Sequence, residues 1–270
     1  MTTARAHRHE QNGELLAAAP MLSIVLPARD EAAGIQAAVT AVSEFLDELD
    51  LPYEIIVGDS ASRDGTGSLA MAAGLPHVRV VRVDLPGKGR VLGHAMRRAR
   101  GSVIGFLDSD LEISVAYLRP AIAAVLAGAD AAIASKALDP KLAALRSPFR
   151  RGITRVANRL IRFSLGTEIT DHQAGMKVFR REALLASLGH VRATGWLWDT
   201  ELLATMCAAG AGVEEIAVET SPTRPSRLGS VRQFLSAGIE LAQVCARVRA
   251  RRWFGRSRQP TRVSSLLPVR

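Results

Sequence analysis

Short apolar runs that end in proline or acid, each followed by a segment with helical spacing, recur through the first half of the chain. This alternation constrains the fold more than any other feature. Leu22-Ser23-Ile24-Val25-Leu26-Pro27 suits a buried strand. Asp30-Glu31 then open a helix predicted to run to about Asp50, its acids complementing the helix dipole and Ile35, Val39, Val42, Phe45, Leu46 and Leu49 forming its inward stripe. Tyr53 to Asp59 makes a second strand, Ser60 to Thr66 a polar turn, and Leu69 to Ala73 lie in the next helix. Val78 to Val83 forms a third strand, Gly87-Lys88-Gly89-Arg90 a flexible basic turn, and Val91 to Arg100 a further helix. A strand at 102–107, a helix from about Val115 to Ala127 and a strand from Ala129 to Ser135 complete the series. The pattern predicts an α/β fold, an open and mostly parallel sheet flanked by helices. Ligands of such sheets bind beyond the carboxyl ends of the strands, where Pro27, Asp59 and Asp108 fall.

The strand ending at Leu107 runs out into Asp108-Ser109-Asp110-Leu111-Glu112. Asp108, Asp110 and Glu112 alternate, so on an extended segment they would share one side. Such a trio calls for a neutralising cation, and hard oxygen ligands suit Mg²⁺ or Mn²⁺, ions that in turn hold diphosphates. A bare D-x-D is more often a solvated loop. Its company decides between the two readings.

The chain has 270 residues, enough for one α/β domain with a small appendage, and a formal charge of +9 that implies anionic partners. Only 4% of residues are aromatic and no helix-turn-helix, zinc or aromatic-basic platform is present, so nucleic acid is set aside in favour of phosphate or an anionic membrane face. Cys207 and Cys245 fall in apolar helical patterns without metal-ligand spacing and read as reduced core residues of a cytoplasmic protein. Leu15 to Ala19 is short for a signal segment, and no stretch approaches the ~18 apolar residues of a spanning helix. The expected organisation is a disordered lead at 1–20, a catalytic domain at 21–230, an amphipathic helix at 231–255 and a disordered basic tail at 256–270. On that helix Phe234, Leu235, Leu241, Ala242, Cys245 and Val248 form the apolar face, and Arg247, Arg249, Arg251 and Arg252 crowd the end. Docking on the protein's own core is its ordinary role. Peripheral contact with anionic lipid on the inner face of the plasma membrane is the alternative.

Taken together, Leu26-Pro27-Ala28-Arg29-Asp30-Glu31, Glu54 to Thr66 and Asp108-Ser109-Asp110 resemble the family 2 glycosyltransferases. Gly87-Lys88-Gly89, Arg155-x-x-Asn158-x-x-Ile161-Arg162, Asp171-x-Gln173-Ala174-Gly175-Met176-Lys177-Val178-Phe179 and Gly195-Trp196-x-Trp198-Asp199-x-Glu201 are similar to stretches of the polyprenyl-phosphate sugar synthases, above all the dolichyl-phosphate glucosyltransferase-like branch. The resemblance covers roughly residues 21 to 235. It implies a GT-A fold, a nucleotide-sugar donor, a divalent metal (Mg²⁺ or Mn²⁺) and inversion at the anomeric carbon. Pro27, Arg29, Glu31 and Asp59 would hold base and ribose, Lys88 and Ser109 would lie at the nucleotide or its phosphates, and Asp108, Asp110 and Glu112 would form the metal and diphosphate site.

Each residue also has a plainer role to weigh. Asp59 could cap the turn that follows it, and Lys88 could belong to a surface turn. Arg151 and Arg155 are the best candidates for an acceptor phosphate, because arginine forks match phosphate oxygens. Asp199 and Glu201 suit a helix N-terminus; with a hydroxyl acceptor Asp199 would be the general base, whereas a phosphate acceptor needs none. His172 reads as a structural histidine, and Trp196 and Trp198 as packing or sugar-stacking residues. The function expected is transfer of a hexose from UDP-glucose or GDP-mannose to polyprenyl phosphate. A soluble small-molecule acceptor is the rival, with a sugar nucleotidyltransferase or a non-catalytic nucleotide-sugar-binding protein further behind.

Overall fold

The structure is a computed structural model that describes residues 20–138, 159, 161–219, 240–250 and 265–266. Strands β1 (Leu22–Ala28), β2 (Tyr53–Ser60), β3 (Val78–Val83) and β4 (Val103–Leu107) run parallel, with β1 between β2 and β4 and β3 on the far side of β2. Strand β5 (Ala131–Ser135) does not join β4 directly. β6 (Met176–Arg180) inserts between them, antiparallel to both. β7 (Val213–Ala217) and β8 (Ser265–Leu266) continue the sheet beyond β5, giving the order β3-β2-β1-β4-β6-β5-β7-β8.

Helices α1 (Ile35–Asp47), α2 (Thr66–Met71), α3 (Lys88–Arg98) and α4 (Leu118–Leu126) alternate with the first five strands, and α5 (Arg181–Leu188), α6 (Trp198–Ala208) and α7 (240–250) follow β6. Both faces of the sheet are covered. Val25, Ile56 and Phe106 join Leu92 and Met96 of α3 and Leu202 and Leu203 of α6 in one core; Ile24, Leu26, Ile55 and Val57 join Val39, Val42 and Leu46 of α1 and Ile122 and Val125 of α4 in the other. Burial on both faces explains why these strands are continuously apolar in sequence.

Three features depart from the expectations. Helix α1 begins at Ile35, not at Asp30, and has no acid in its first turn. Asp30 is left-handed (φ 54°), and residues 30–32 spend their N–H groups on the turn after β2, as described below, so they are unavailable to open a helix. Lys88 lies in the first turn of α3, and not in a flexible surface turn. The polar stretch after Asp171 contains strand β6, disguised by Lys177, a fully buried lysine in its middle.

In α7, Val244 and Val248 are buried in the same core as Leu202 and Leu203, with Leu241 and Cys245 packed at its edge. Ala242, assigned to the apolar face, is exposed. Phe234, Leu235, Arg251 and Arg252 lie outside the described residues. Both cysteines are free, and among the described residues no helix is long and apolar enough to cross a membrane.

Gly89 makes the packing of α3 on α6 possible, because a Cβ there would sit 2.2 Å from Cβ of Trp198. Gly to Ala inside a helix ordinarily stabilises by up to about 1 kcal/mol. Here the steric cost, about 1–3 kcal/mol for overpacking a core, outweighs that gain. Gly89→Ala is therefore expected to lower the urea midpoint of unfolding, and an unchanged or raised midpoint would contradict this packing.

Candidate active site

The carboxyl ends of β1, β2 and β4 surround a cavity of about 350 Å³. Pro27, Ala28, Arg29 and Glu31 line it from β1 and the following loop, and Ser60 from β2. Lys88 enters from the start of α3, Asp108, Ser109 and Asp110 from the turn after β4, and Gly195 and Trp196 from the segment before α6.

The wall from β1 is held by the turn after β2. The Asp30 N–H donates to Ser62 Oγ at 3.1 Å, the Glu31 N–H to Thr66 Oγ1 at 2.9 Å and the Ala32 N–H to Asp64 Oδ2 at 2.9 Å, while Asp30 Oδ1 accepts from the Arg63 N–H at 2.9 Å. Asp59 underlies this turn. It is buried, with Oδ1 accepting from the Ser62 N–H at 2.9 Å and Oδ2 from Arg82 at 2.9 Å. Its neighbour Ser60 faces the cavity and accepts the Gly87 N–H at 3.0 Å, which ties β2 to the start of α3.

Lys88 reaches Asp108, with Nζ 2.7 Å from Oδ1 and 3.0 Å from Oδ2, and sits 5.3 Å from the ring centre of Phe106. Burial works against its charge, but Asp108, Asp199 and Asp110 together hold the ammonium above the ordinary lysine range. A positive charge thus stands at the mouth of β4.

The three acids do not share one side as alternation predicted. β4 ends at Leu107, the chain turns so that the Leu111 N–H donates to the Asp108 carbonyl at 3.1 Å, and Leu111 takes a left-handed φ of 51°. Period-two reasoning holds only while the backbone is extended. Asp108 and Asp110 line the cavity, whereas Glu112 pairs with Lys136 at 2.6 Å. Among the described residues no three His, Cys, Asp or Glu side chains converge as a metal cluster. Two cavity carboxylates still fit a hard ion such as Mg²⁺, which is commonly held by one or two carboxylates plus substrate phosphates.

Behind Asp108 lies a residue with no role assigned from sequence. Lys177 is fully buried, with Nζ donating to Asp199 Oδ1 at 3.0 Å and to the Ala174 carbonyl at 2.7 Å, 5.0 Å from the ring centre of Phe106. A single lysine inside the apolar run Met176-Lys177-Val178-Phe179 was the available signal. Asp199 is itself buried and is not part of the cavity lining, its carboxylate engaged by this lysine. The loop before β6 also meets Asp108 directly: the Gly175 carbonyl accepts the Asp108 N–H at 2.8 Å, and a Cβ at Gly175 would lie 2.8 Å from Asp108 Oδ2.

Glu201 is buried at the end of a short relay. Its Oε2 accepts the N–H groups of Arg192 and Ala193 at 2.9 and 2.6 Å, and Arg247 of α7 grips it at 2.6 Å. Burial acts to raise its pKa, but Arg247 and the two N–H groups hold it below the usual carboxylate range. The two tryptophans part company: Trp198 is buried against Gly89, and Trp196 stands 69% exposed at the cavity. Arg151 and Arg155 lie outside the described residues.

Arg247→Met leaves Glu201 buried without its guanidinium. Because Arg247 is itself about a third exposed, the expected cost is roughly 1–3 kcal/mol, below that of breaking a fully buried pair; urea unfolding measures it, and adding Glu201→Gln should recover part. His172 gives a pH signature. Its Nε2 lies 2.9 Å from Thr167 Oγ1, and burial, helped by Lys177 and Arg162, pushes its pKa down to about 4. The unfolded chain takes up this proton near 6.5, so it binds more protons than the folded chain between those values. Stability is therefore retained above about pH 6.5 and falls toward pH 4, by up to roughly 3 kcal/mol. A His172→Asn variant should show a visibly flatter melting temperature across that window.

The chain matches the family described as glycosyl transferase family 2 over residues 23–186. Glycosyltransferase AglD of Haloferax volcanii is 34% identical over 233 residues, which cover 83% of this chain and 37% of AglD. The chain thus spans well under half the length of that relative. Dolichyl-phosphate beta-glucosyltransferase of Homo sapiens is 26% identical, over 86% of this chain and 77% of its own. Among solved structures, glucosyl-3-phosphoglycerate synthase from Mycobacterium tuberculosis, in complex with Mn²⁺, UDP-glucose and phosphoglyceric acid, superposes with a TM-score of 0.58 at 22% identity, covering 89% of this chain and 83% of that one. That likeness is one of fold, and the fold is GT-A. With a family match over more than half of its length, on that fold and through the motifs that line the cavity, the chain belongs to glycosyl transferase family 2.

Proposed function

We propose that the chain transfers a hexose from a nucleotide sugar, UDP-glucose or GDP-mannose, to polyprenyl phosphate, with inversion and with the help of Mg²⁺ or Mn²⁺. The observation that carries this is the meeting of Lys88, Asp108 and Asp110 in one cavity whose other wall is Pro27, Arg29, Glu31 and Ser60. A nucleoside diphosphate needs this pairing of a positive charge and oxygen donors at the phosphates with a separate wall for base and ribose. Asp108 and Asp110 would hold the divalent ion. When bound, such an ion neutralises charge on the departing diphosphate. Lys88 supplies charge to the same oxygens from the start of α3. Ser109, between the two acids, offers a hydroxyl to the phosphates. Asp59, expected to hold base and ribose itself, is buried on Arg82 and Ser62 outside the cavity lining, and its part is to hold the turn that shapes the base and ribose wall.

A phosphate acceptor is already an anion and needs no general base. This agrees with an Asp199 occupied by Lys177, whose part is then to position the wall before α6. Glu112 would join the ion only by leaving Lys136. Arg151 and Arg155 remain the proposed acceptor-phosphate ligands, and a lipid acceptor brings a peripheral contact with the inner face of the plasma membrane.

A soluble phosphorylated acceptor is the second reading. It is favoured by the 38% identity over 110 residues to glucosyl-3-phosphoglycerate synthase of Mycobacterium tuberculosis, a protein named for such an acceptor. Both readings share the donor. Calorimetric titration of UDP- and GDP-sugars with and without Mn²⁺ tests it: one sugar nucleotide should bind in a metal-dependent way, and Asp110→Ala should weaken it at least about tenfold, some 1.4 kcal/mol. Failure of a folded chain to bind any of them would refute the proposal. Turnover with polyprenyl phosphate against 3-phosphoglycerate then separates the acceptors.

A further inference from the structure

Two tryptophans two residues apart have opposite fates, and only one is explained by packing. Trp198 is 3% exposed and fills the space over Gly89, whereas Trp196 is 69% exposed. An indole left in water needs a reason in a chain with so few aromatics. Nor is it on a loose segment. The Thr194 carbonyl accepts the Arg90 N–H at 3.1 Å, the Gly195 carbonyl accepts the Trp198 N–H at 3.4 Å, and the Trp196 carbonyl accepts Gln173 Nε2 at 3.4 Å. Upstream, Glu201 holds the N–H groups of Arg192 and Ala193. The backbone around Trp196 is therefore pinned while most of its side chain stays exposed to a ligand.

Its position says which part of the ligand it meets. Lys88 Nζ lies 5.5 Å from the indole centre and 2.7 Å from Asp108 Oδ1, so the indole borders the phosphate-binding wall. Along the sheet the order is β2, β1, β4, β6. On the donor reading above, base and ribose would lie over the ends of β2 and β1 and the diphosphate over the end of β4, while Gln173, which holds Trp196, belongs to the loop leading into β6. Beyond the diphosphate of a nucleotide sugar comes the sugar. A pyranose presents one face of C–H groups, and a rigid, exposed indole is the side chain that covers such a face without requiring its hydroxyls to be desolvated.

Resting on the donor reading above, we propose that Trp196 is a specificity-determining residue that stacks on the apolar face of the donor hexose. The test compares each nucleotide sugar with its free nucleoside diphosphate, by titration calorimetry with Mn²⁺, in the wild type, Trp196→Ala and Trp196→Phe. Because the side chain is exposed, both variants should melt within a degree or two of the wild type. Trp196→Ala should weaken the nucleotide sugar tenfold or more while leaving the nucleoside diphosphate within about twofold, and Trp196→Phe should restore most of the difference. Equal weakening of both ligands would show that Trp196 only steadies Lys88 over the phosphates, and would overturn the assignment while leaving the donor reading standing. So would unchanged binding of both with a change confined to the acceptor KM. A wild-type chain that binds neither ligand overturns the donor reading and this assignment with it.

Discussion

The contact between the Lys88 ammonium and the Asp108 carboxylate, 2.7 Å apart over the ring of Phe106, is the joint on which the site depends. It fastens the first turn of α3 to the far end of β4, the strand that follows it in the chain. Three further parts of the cavity are tied to one of them. Ser60 receives the Gly87 N–H and so fixes β2 against α3; Thr194 receives the Arg90 N–H and fixes the Trp196 wall against the same helix; Gly175 receives the Asp108 N–H and fixes the loop before β6 against β4. A ligand that competes for Lys88 and Asp108 thereby meets a frame already assembled around it, which is how a site limits the ordering cost of binding.

A second feature is the number of buried carboxylates, each with a partner. Asp59 is held by Arg82 and Ser62, Asp199 by Lys177, Glu201 by Arg247 and two N–H groups, and Glu54 by Arg79, Ser23 and the Arg100 N–H. Buried ion pairs contribute little net stability, because desolvation consumes most of the Coulombic gain, but losing one partner is costly. Their effect is to make alternative packings expensive. It is notable where they stand: Asp59 beneath the turn that shapes one wall, Asp199 and Glu201 beneath the segment that carries the other. Buried charge here sets geometry at the cavity, and apolar burial on both sheet faces supplies the stability.

Much of the fold was legible, and the reason is local. Strands β1, β2, β4 and β5 are runs buried on both faces, so apolar continuity marked them; β3, at the sheet edge, mixes valine with arginine, and the first helix carried a clear inward stripe. The strands that escaped notice, β6 and β7, carry Lys177 and Glu215 at fully or nearly fully buried positions. A buried charge inside a five-residue strand breaks up the short apolar run by which strands are recognised, whereas the longer β2 keeps Ile55-Ile56-Val57 intact between Glu54 and Asp59. The start of α1 was misplaced for a non-local reason: the N–H groups of residues 30–32 are claimed by side chains from 62–66, a contact no local propensity records.

The same division runs through the site. The sequence by itself determined which chemistry was available: Lys88 between glycines, Asp108 and Asp110 at a strand end, Pro27 to Glu31 and Asp59 at two others, because strand ends of an open parallel sheet converge wherever the chain runs next. Only the tertiary structure decided how those groups are used. It put Ser60 and not Asp59 at the cavity, turned Glu112 toward Lys136, buried Asp199 on Lys177, and sent one of two neighbouring tryptophans into the core and the other to the cavity. Spacing along a chain specifies direction only while the backbone stays regular. Past the last residue of β4 and before the first of α6 it does not, and there the partners brought by distant elements choose where each side chain points.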